Sequence, residues 1–370
     1  MPKLVKIEAV PIRVSLTKPV TTSNKTTETA RAFLLKLTDS DGLAGWGEGS
    51  FNQTFTDESE ASLAADLVAV LEPALLGREP AELIAGLATV HRTLRTRIAL
   101  RCATSIAVHD LVARHYGIPL YVMLGGLARR SVPTVAFIGN FDRDAAEADA
   151  VEAVGRGFSA IKLKVGRPDV AEDLDAVRGV RSRMPAAMRL YVDANQAWTP
   201  AQAYAFVGQA VSLGVTLVEQ PVAAWDARTL ATLGHTAGVD VAADESVFDA
   251  SQLLGRALAG CTPAAVVVKL LKAGGIDGVV DVLRVAGTLG VRPFVAGMPG
   301  DTSVLSAAML NIALSTPSLP LGTAITPHHS RVDVVVRPLS VVDGQLTVDG
   351  LTGSGIGVEV DEERVAAVAC

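Results

Sequence analysis

Aromatic residues make up only 4% of this 370-residue chain. The core must therefore be packed by aliphatic side chains, and with 49% hydrophobic residues there are enough of them to build a large one. Cysteine is also scarce. Cys102, Cys261 and Cys370 are odd in number and lack metal-binding spacing, which excludes a disulfide framework and fits a reduced, cytoplasmic setting. No apolar run is long enough to span a bilayer, and the opening MPKLVKIEAV is too short and polar for a signal peptide, so no membrane partner is expected. A basic block is missing too. With a net charge of −6 and no interleaving of arginine with aromatics, nucleic-acid binding is excluded. There is no short-period repeat and no low-complexity segment.

The chain has two rhythms. LVKIEAVPIRV (4–14) alternates and is rich in β-branched residues, as a strand does. ARAFLLKLTDSDGLAGWGEGS (30–50) reads as a hairpin turning at DSDG, residues 39–42. The polar segments 21–30 and 51–59 read as loops, the first of them mobile. Residues 58–125 carry apolar side chains at helical spacings of three and four. Together these describe an α+β domain over residues 1–125. From there apolar strands alternate with amphipathic helices: PTVAFIG (133–139), AIKLKVG (160–166), RLYVDAN (189–195), TLVEQP (216–221), DVAADES (240–246), AAVVVKLL (264–271), RPFVAGM (292–298) and LGTAITP (321–327). Eight strands at this period predict a closed parallel barrel over 126–330, with a doubly wound open sheet as the alternative. The tail 331–370 is glycine-rich, reads as strand-like over 345–365, and is expected to return to the first domain.

Four charged residues end consecutive strands: Asp193, Glu219, Asp244 and Lys269, separated by 26, 25 and 25 residues. That interval is one strand, one helix and two short loops, so the four side chains gather at the C-terminal mouth of a barrel. Three carboxylates there offer hard oxygen ligands suited to Mg2+, or Mn2+, and about three octahedral positions remain for water and a substrate carboxylate. Lys162 and Lys164 lie two apart on a strand and face the same way. Each ammonium disfavours protonation of the other, which brings a lysine down toward pKa ~7–8, where it serves as a base. Lys269 lies four strands farther round and approaches from the opposite side. Two bases on opposite faces of one carbon can racemise or epimerise it. The competing reading makes the acids helix N-caps. It leaves unexplained why lysines should end apolar strands, where an ammonium without a task is costly.

These motifs resemble those of the enolase superfamily, specifically its muconate lactonizing enzyme subgroup. K-x-K at 162–164, VDAN at 192–195, VEQP at 218–221, ADES ending at 246 and VKLLKAGG at 268–275 carry the resemblance, with GLAGWGE (42–48) and YVMLGG (121–126) in the N-terminal part. It covers nearly the whole chain. It implies an α/β fold: a modified (β/α)7β TIM-type barrel with an N-terminal α+β capping domain completed by the C-terminal tail. It further implies Mg2+ on Asp193, Glu219 and Asp244, an acid/base pair of Lys164 and Lys269 supported by Lys162, and a homo-oligomer. The lysine-plus-magnesium pattern is a known feature of this superfamily. The expected partner is a small-molecule carboxylate, and the expected reaction is racemisation or epimerisation of an amino-acid derivative. Cycloisomerisation or elimination through the same enolate is the alternative, and a non-catalytic carboxylate binder the remote one. The chain departs from its relatives at two places. After strand seven Met298-Pro299-Gly300-Asp301 replaces the Met-x-Glu-Ser type sequence, which weighs against muconate, although Asp301 stands near. LGTAITPHHSRVDVV lacks the Asp-x-Asp that grips a dipeptide ammonium. His328 and His329 read as exposed loop residues that could reach substrate. Loops 21–30 and 51–59 are expected to cover the site, with Phe51 and Phe55 facing a partly apolar group.

Overall fold

The computed structural model describes residues 1–23, 25–139, 141–235 and 238–370. The first three strands, β1 (Leu4–Thr21), β2 (Thr26–Asp39) and β3 (Ala44–Ser50), form an antiparallel sheet in that order. The turn joining β2 to β3 lies where DSDG predicts it, with Asp39 accepting from the Asp41 and Leu43 amides. As the central strand, β2 is buried on both faces, which is why its sequence AFLLKL runs nearly unbroken in apolar residues. Phe33, Leu35 and Leu37 pack toward the helices of the cap, while Ala32 and Leu34 pack toward the barrel.

The remaining strands are β4 (Ser131–Pro133), β5 (Ala136–Ile138), β6 (Ala160–Lys164), β7 (Arg189–Asp193), β8 (Val215–Glu219), β9 (Asp240–Ala243), β10 (Ala265–Val268), β11 (Arg292–Ala296), β12 (Thr323–Ala324) and β13 (Gln345–Thr347). Strands β5 to β12 make one parallel sheet of eight in sequence order. Thr134, just before β5, bridges Thr323 of β12, and the Val135 amide donates to the Thr323 carbonyl at 2.9 Å, so the sheet closes. Among the described residues, α-helices follow each of the first seven barrel strands, while only the single turn Pro327–His329 follows β12. The architecture is the expected (β/α)7β barrel with an N-terminal cap. Its interior mixes small and large residues. Ala160, Ala242, Ala265 and Ala296 make room for Tyr191 and Phe294, whose rings meet edge-on at 5.6 Å.

The glycines of AGWGEGS explain how the cap sheet is held. Gly45, Gly47 and Gly49 share one face of β3, two residues apart. That face lies against the helix Ile98–His115, where a Cβ on Gly47 would meet the Ala103 carbonyl oxygen at 1.9 Å, and one on Gly49 the Ala99 oxygen at 2.6 Å. Ala99, Ala103 and Ala107 recur every four residues and present the matching helix face. On the other face of β3, Glu48 reaches across to the barrel. Its carboxylate accepts from the Thr302 amide at 3.0 Å, the Thr302 hydroxyl at 2.6 Å and the Leu305 amide at 3.1 Å, capping the helix Ser303–Ser315. The chain's end also reaches the cap: Glu362 pairs with Lys36 at 2.6 Å, Ala369 bridges Ile12, and Asp110 accepts from the Ile356 amide at 2.8 Å.

Two expectations need correction. Segment 21–30 is mostly strand, since β1 runs to Thr21 and β2 starts at Thr26, leaving a short hairpin turn. Threonine-rich polarity is what a strand exposed to solvent shows, and Asn24 lies outside the described residues. The tail 345–365 is strand only at β13. Glycines 353, 355 and 357 take left-handed φ values of 74°, 74° and 85°, which no strand accommodates in series, and EERVAAV is helix (Glu362–Val368) behind an Asp361 N-cap.

Replacing Gly47 with alanine should force β3 off the helix and destabilise the fold by roughly 1–3 kcal/mol, the usual range for overpacking. Urea unfolding with an unchanged slope and a lowered midpoint is the expected result.

Candidate active site

Strand register assembles the charged residues. Lys164 on β6 lies beside Asp193 on β7, which lies beside Glu219 on β8. Asp244 and Lys269 directly follow β9 and β10. Lys162 Nζ contacts both Glu219 oxygens at 2.6 Å and Asp193 Oδ2 at 3.1 Å. Lys164 Nζ donates to Asp193 Oδ2 at 2.6 Å, and Lys269 Nζ to Asp244 Oδ2 at 2.6 Å. Lys162, Lys164, Asp193 and Lys269 line a cavity of about 390 Å³, while Glu219 and Asp244 lie behind them, fully buried. In the order of the closed eight-stranded sheet β6 and β10 are four strands apart, half a turn, so Lys164 and Lys269 enter the cavity from opposite sides. The lid is the cap. Residues 25–31 and 50–55 line the same cavity, including Phe51 and Phe55, and the Lys269 ammonium lies 4.8 Å from the Phe55 ring centroid.

The electrostatics differ from the sequence expectation. The neighbouring ammonium was expected to bring one lysine down, but Lys162 is surrounded by carboxylates. Burial disfavours the Lys162 ammonium, yet Glu219, Asp193 and Asp244 outweigh it and raise its pKa. For Lys269 burial is likewise outweighed, by Asp244 and Glu219, and its pKa is raised. Burial pushes Asp193 up, and Lys164 and Lys162 overcome it, holding the carboxyl well below its usual range. Asp244 is lowered in the same way by Lys269 and Lys272. Glu219, buried beside Asp193, is pushed up to about 8. The trio thus shares more negative charge than one site readily holds.

Among the described residues, no three carboxylates, imidazoles or thiolates are gathered at metal-ligating spacing. Lysine ammoniums stand between them instead. The donor set nevertheless fits a hard dication. Asp193 and Glu219 already converge on one positive atom, Lys162 Nζ, whose charge Asp244 also feels. Asp244 Oδ1 is buried against the Lys272 ammonium, 2.7 Å away. The lysine directs its hydrogens at the Asp244, Val247 and Val267 carbonyls, at 2.7, 3.0 and 2.8 Å.

Most of the chain matches known protein families. Residues 5–125 match the family described as "Mandelate racemase / muconate lactonizing enzyme, N-terminal domain", and residues 145–364 match "Enolase C-terminal domain-like". L-Ala-D/L-Glu epimerase of Bacillus subtilis is 32% identical over 356 residues, 96% of each chain. The chain belongs to the enolase superfamily, in its muconate lactonizing enzyme subgroup. It is an enzyme of that superfamily, and its curated relatives are isomerases. Among solved structures, 2-chloromuconate cycloisomerase from Rhodococcus opacus superposes with a TM-score of 0.93 at 26% identity, covering 100% of both chains. The dipeptide epimerase of Enterococcus faecalis, in complex with Mg and L-Leu-L-Tyr, superposes at 0.90 with 25% identity over 96% of this chain and 99% of that one.

The other residues singled out in the sequence sort differently. His328 and His329 are half-buried, neither exposed nor in the lysine cavity. They pack on Phe158 and Phe137, at 5.9 and 5.5 Å between ring centroids, beside a separate cavity, and burial lowers them to about 3 and about 4. Trp198 is buried against Phe206. Asp301 is buried under the turn after β11, where its carboxylate accepts from the Met298 amide at 2.7 Å. Two further residues of the site escaped the sequence reading. Asn195 Oδ1 accepts from Lys164, and the Gln220 side-chain oxygen Oε1 accepts from the Asp244 amide and from both the amide and hydroxyl of Ser246. Both residues have positive φ, 43° and 36°. Their letters stood in VDAN and VEQP, but strained backbone has no signature in a sequence.

Burial and the Asp301 charge raise Glu48 from 4.5 to about 8, and burial raises Asp301 to about 7. Above the ordinary carboxylate range and up to pH of about 8, folded Glu48 therefore holds a proton that the unfolded chain has lost. Stability falls as pH rises across that window and levels off above it. Urea midpoints for Glu48→Gln should fall less steeply with pH over the window than those of the wild-type protein.

Proposed function

We propose that this enzyme racemises or epimerises a carboxylate with a proton on its α-carbon, most specifically an amino-acid derivative, and that it requires Mg2+. The observation that carries the reading is the pair of buried amines, Lys164 and Lys269, facing each other across one cavity from half a barrel turn apart. In this reading one takes the α-proton from its side and the other returns a proton on the opposite face, leaving the mass unchanged and the configuration inverted. Lys162 supports Lys164 and meets the substrate carboxylate. Asp193, Glu219 and Asp244 hold the metal. A bound Mg2+ supplies positive charge against the second negative charge that arises on the substrate carboxylate, worth several kcal/mol of the ~8–23 kcal/mol that enzymes supply.

Charge balance supports an anionic substrate. Four buried ammoniums, Lys162, Lys164, Lys269 and Lys272, face four buried carboxylates, Asp193, Glu219, Asp244 and Glu245. A dication leaves that balanced array positive, and a carboxylate gathering a second charge restores it. Among the described residues, the β12 end of the cavity offers Ala324 and Thr326 and no acid to hold an ammonium, which favours a blocked nitrogen over the free one of a dipeptide. Cycloisomerisation is the second reading, favoured by the end-to-end likeness to a chloromuconate cycloisomerase. A homo-oligomer belongs to this reading, and exposed Trp225, Leu254 and Leu258 supply apolar surface for one. So does a reducing cytoplasmic setting, in keeping with three free cysteines.

Proton NMR in D2O with Mg2+, over N-acylamino acids, dipeptides, proline derivatives and muconates, tests the proposal. Loss of an α-proton signal on an unchanged skeleton is expected. New vinylic or lactone signals would move the function to elimination or cycloisomerisation. Lys164→Ala and Lys269→Ala should each lower turnover by about 10²–10⁴-fold. Full activity in either variant contradicts the two-amine scheme.

A further inference from the structure

Lys164 has a second partner besides Asp193. The Asn195 carbonyl oxygen Oδ1 accepts from its Nζ at 2.5 Å. On its other side Asn195 Nδ2 donates to Glu245 Oε1 at 3.0 Å, and its backbone amide donates to Asp193 Oδ1 at 3.0 Å. An ammonium only donates and a carboxylate only accepts. An amide wedged between them satisfies both in one orientation alone, with its oxygen toward the lysine. Glu245 is buried, and its remaining oxygen, Oε2, has no donor, so among the described residues the Asn195 amide is the side chain that meets its carboxylate. The backbone is equally committed. Asn195 and Gln196 are consecutive left-handed residues with φ of 43° and 67°, a sparsely populated arrangement held by its surroundings. Ser23 of the cap hairpin donates to the Asn195 carbonyl at 3.3 Å.

We propose that Asn195 is a positioning residue that aims the Lys164 amine, with Glu245 locking the orientation of its amide. A neutral acceptor holds the lysine in place without adding charge to the carboxylate trio. The device is one-sided, since Lys269 is held by Asp244 and the Phe55 ring with no amide. The geometric part of this inference stands by itself. Its catalytic consequence rests on the proposed function of Lys164.

Three variants of the full chain separate the two. Asn195→Leu keeps the volume and loses the polarity. Asn195→Asp turns a carboxylate toward Glu245. The double variant Asn195→Asp/Glu245→Gln exchanges donor and acceptor, so that the lysine keeps its oxygen and the inner contact keeps its hydrogen. Crystal structures need no substrate. Lys164 Nζ should move by about 1 Å or more in Asn195→Leu, enough to cost ~10²-fold in rate, should return in the double variant, and Lys269 should stay in place throughout. A Lys164 that superposes on its wild-type position in Asn195→Leu overturns the inference. With either enantiomer of an N-acylamino acid in D2O, Asn195→Leu should slow α-proton exchange about 100-fold for one enantiomer and spare the other, and the double variant should recover most of the loss. Equal losses for both enantiomers overturn the positioning role. A displaced lysine in a protein whose wild type exchanges no α-proton upholds the geometry and sinks the proposed function instead.

Discussion

Charges taken out of water are the constraint on which this molecule depends. Each buried ion carries a desolvation penalty of several kcal/mol unless it is paired and hydrogen-bonded. Here four ammoniums and four carboxylates meet at one barrel mouth, and each depends on strand register to find its counterpart. Lys164 meets Asp193 because β6 and β7 are aligned residue for residue, and Glu219 joins them through β8. A slip of one residue would turn Lys162, Lys164, Asp193 and Glu219 from the barrel interior to the helix layer. The array is therefore a reason for the register as well as its product. Below it, Phe294 and Tyr191 close the barrel with apolar surface, so the charges can face only the cavity and one another.

The cap completes this arrangement. Water reaching the mouth would screen the lysine–carboxylate contacts, and the cap segments 25–31 and 50–55 that cover it hang from a sheet fastened on both faces. One face of β3 is stripped to glycine so that backbone can meet the helix Ile98–His115. The other sends Glu48 into the barrel to cap the helix Ser303–Ser315. That helix begins directly after the turn holding Met298 and Pro299, which line the cavity beside Lys269. A residue of the cap thereby fixes a wall of the site in the barrel.

Much of this was legible in the sequence for a physical reason. Barrel strands are short, apolar and regularly spaced, and the charged residues ending them stand out against that background. The interval of 25 or 26 residues from Asp193 to Lys269 carries both the fold and the place where side chains converge. What escaped was whatever depends on partners distant in the chain. The state of Lys162 could not be read from its neighbour Lys164, because Glu219, Asp193 and Asp244 decide it. Asn195 and Gln220 were visible as letters, while their left-handed backbones and amide orientations arise only once β7, β8 and β9 lie side by side. The tail misled because valine, threonine and glycine imitate a strand, whereas Asp361 starts a helix.

The central claim, part of the proposed function, is that Asp193, Glu219 and Asp244 form one cation site, on which Lys162 Nζ borders through Glu219 and Asp193. Anomalous diffraction at the manganese edge from crystals soaked in Mn2+ tests it directly. The account predicts a single peak bounded by the three carboxylates, with the Lys162 ammonium displaced from Glu219. A peak at other residues, or none while Lys162 keeps both Glu219 oxygens, would contradict it.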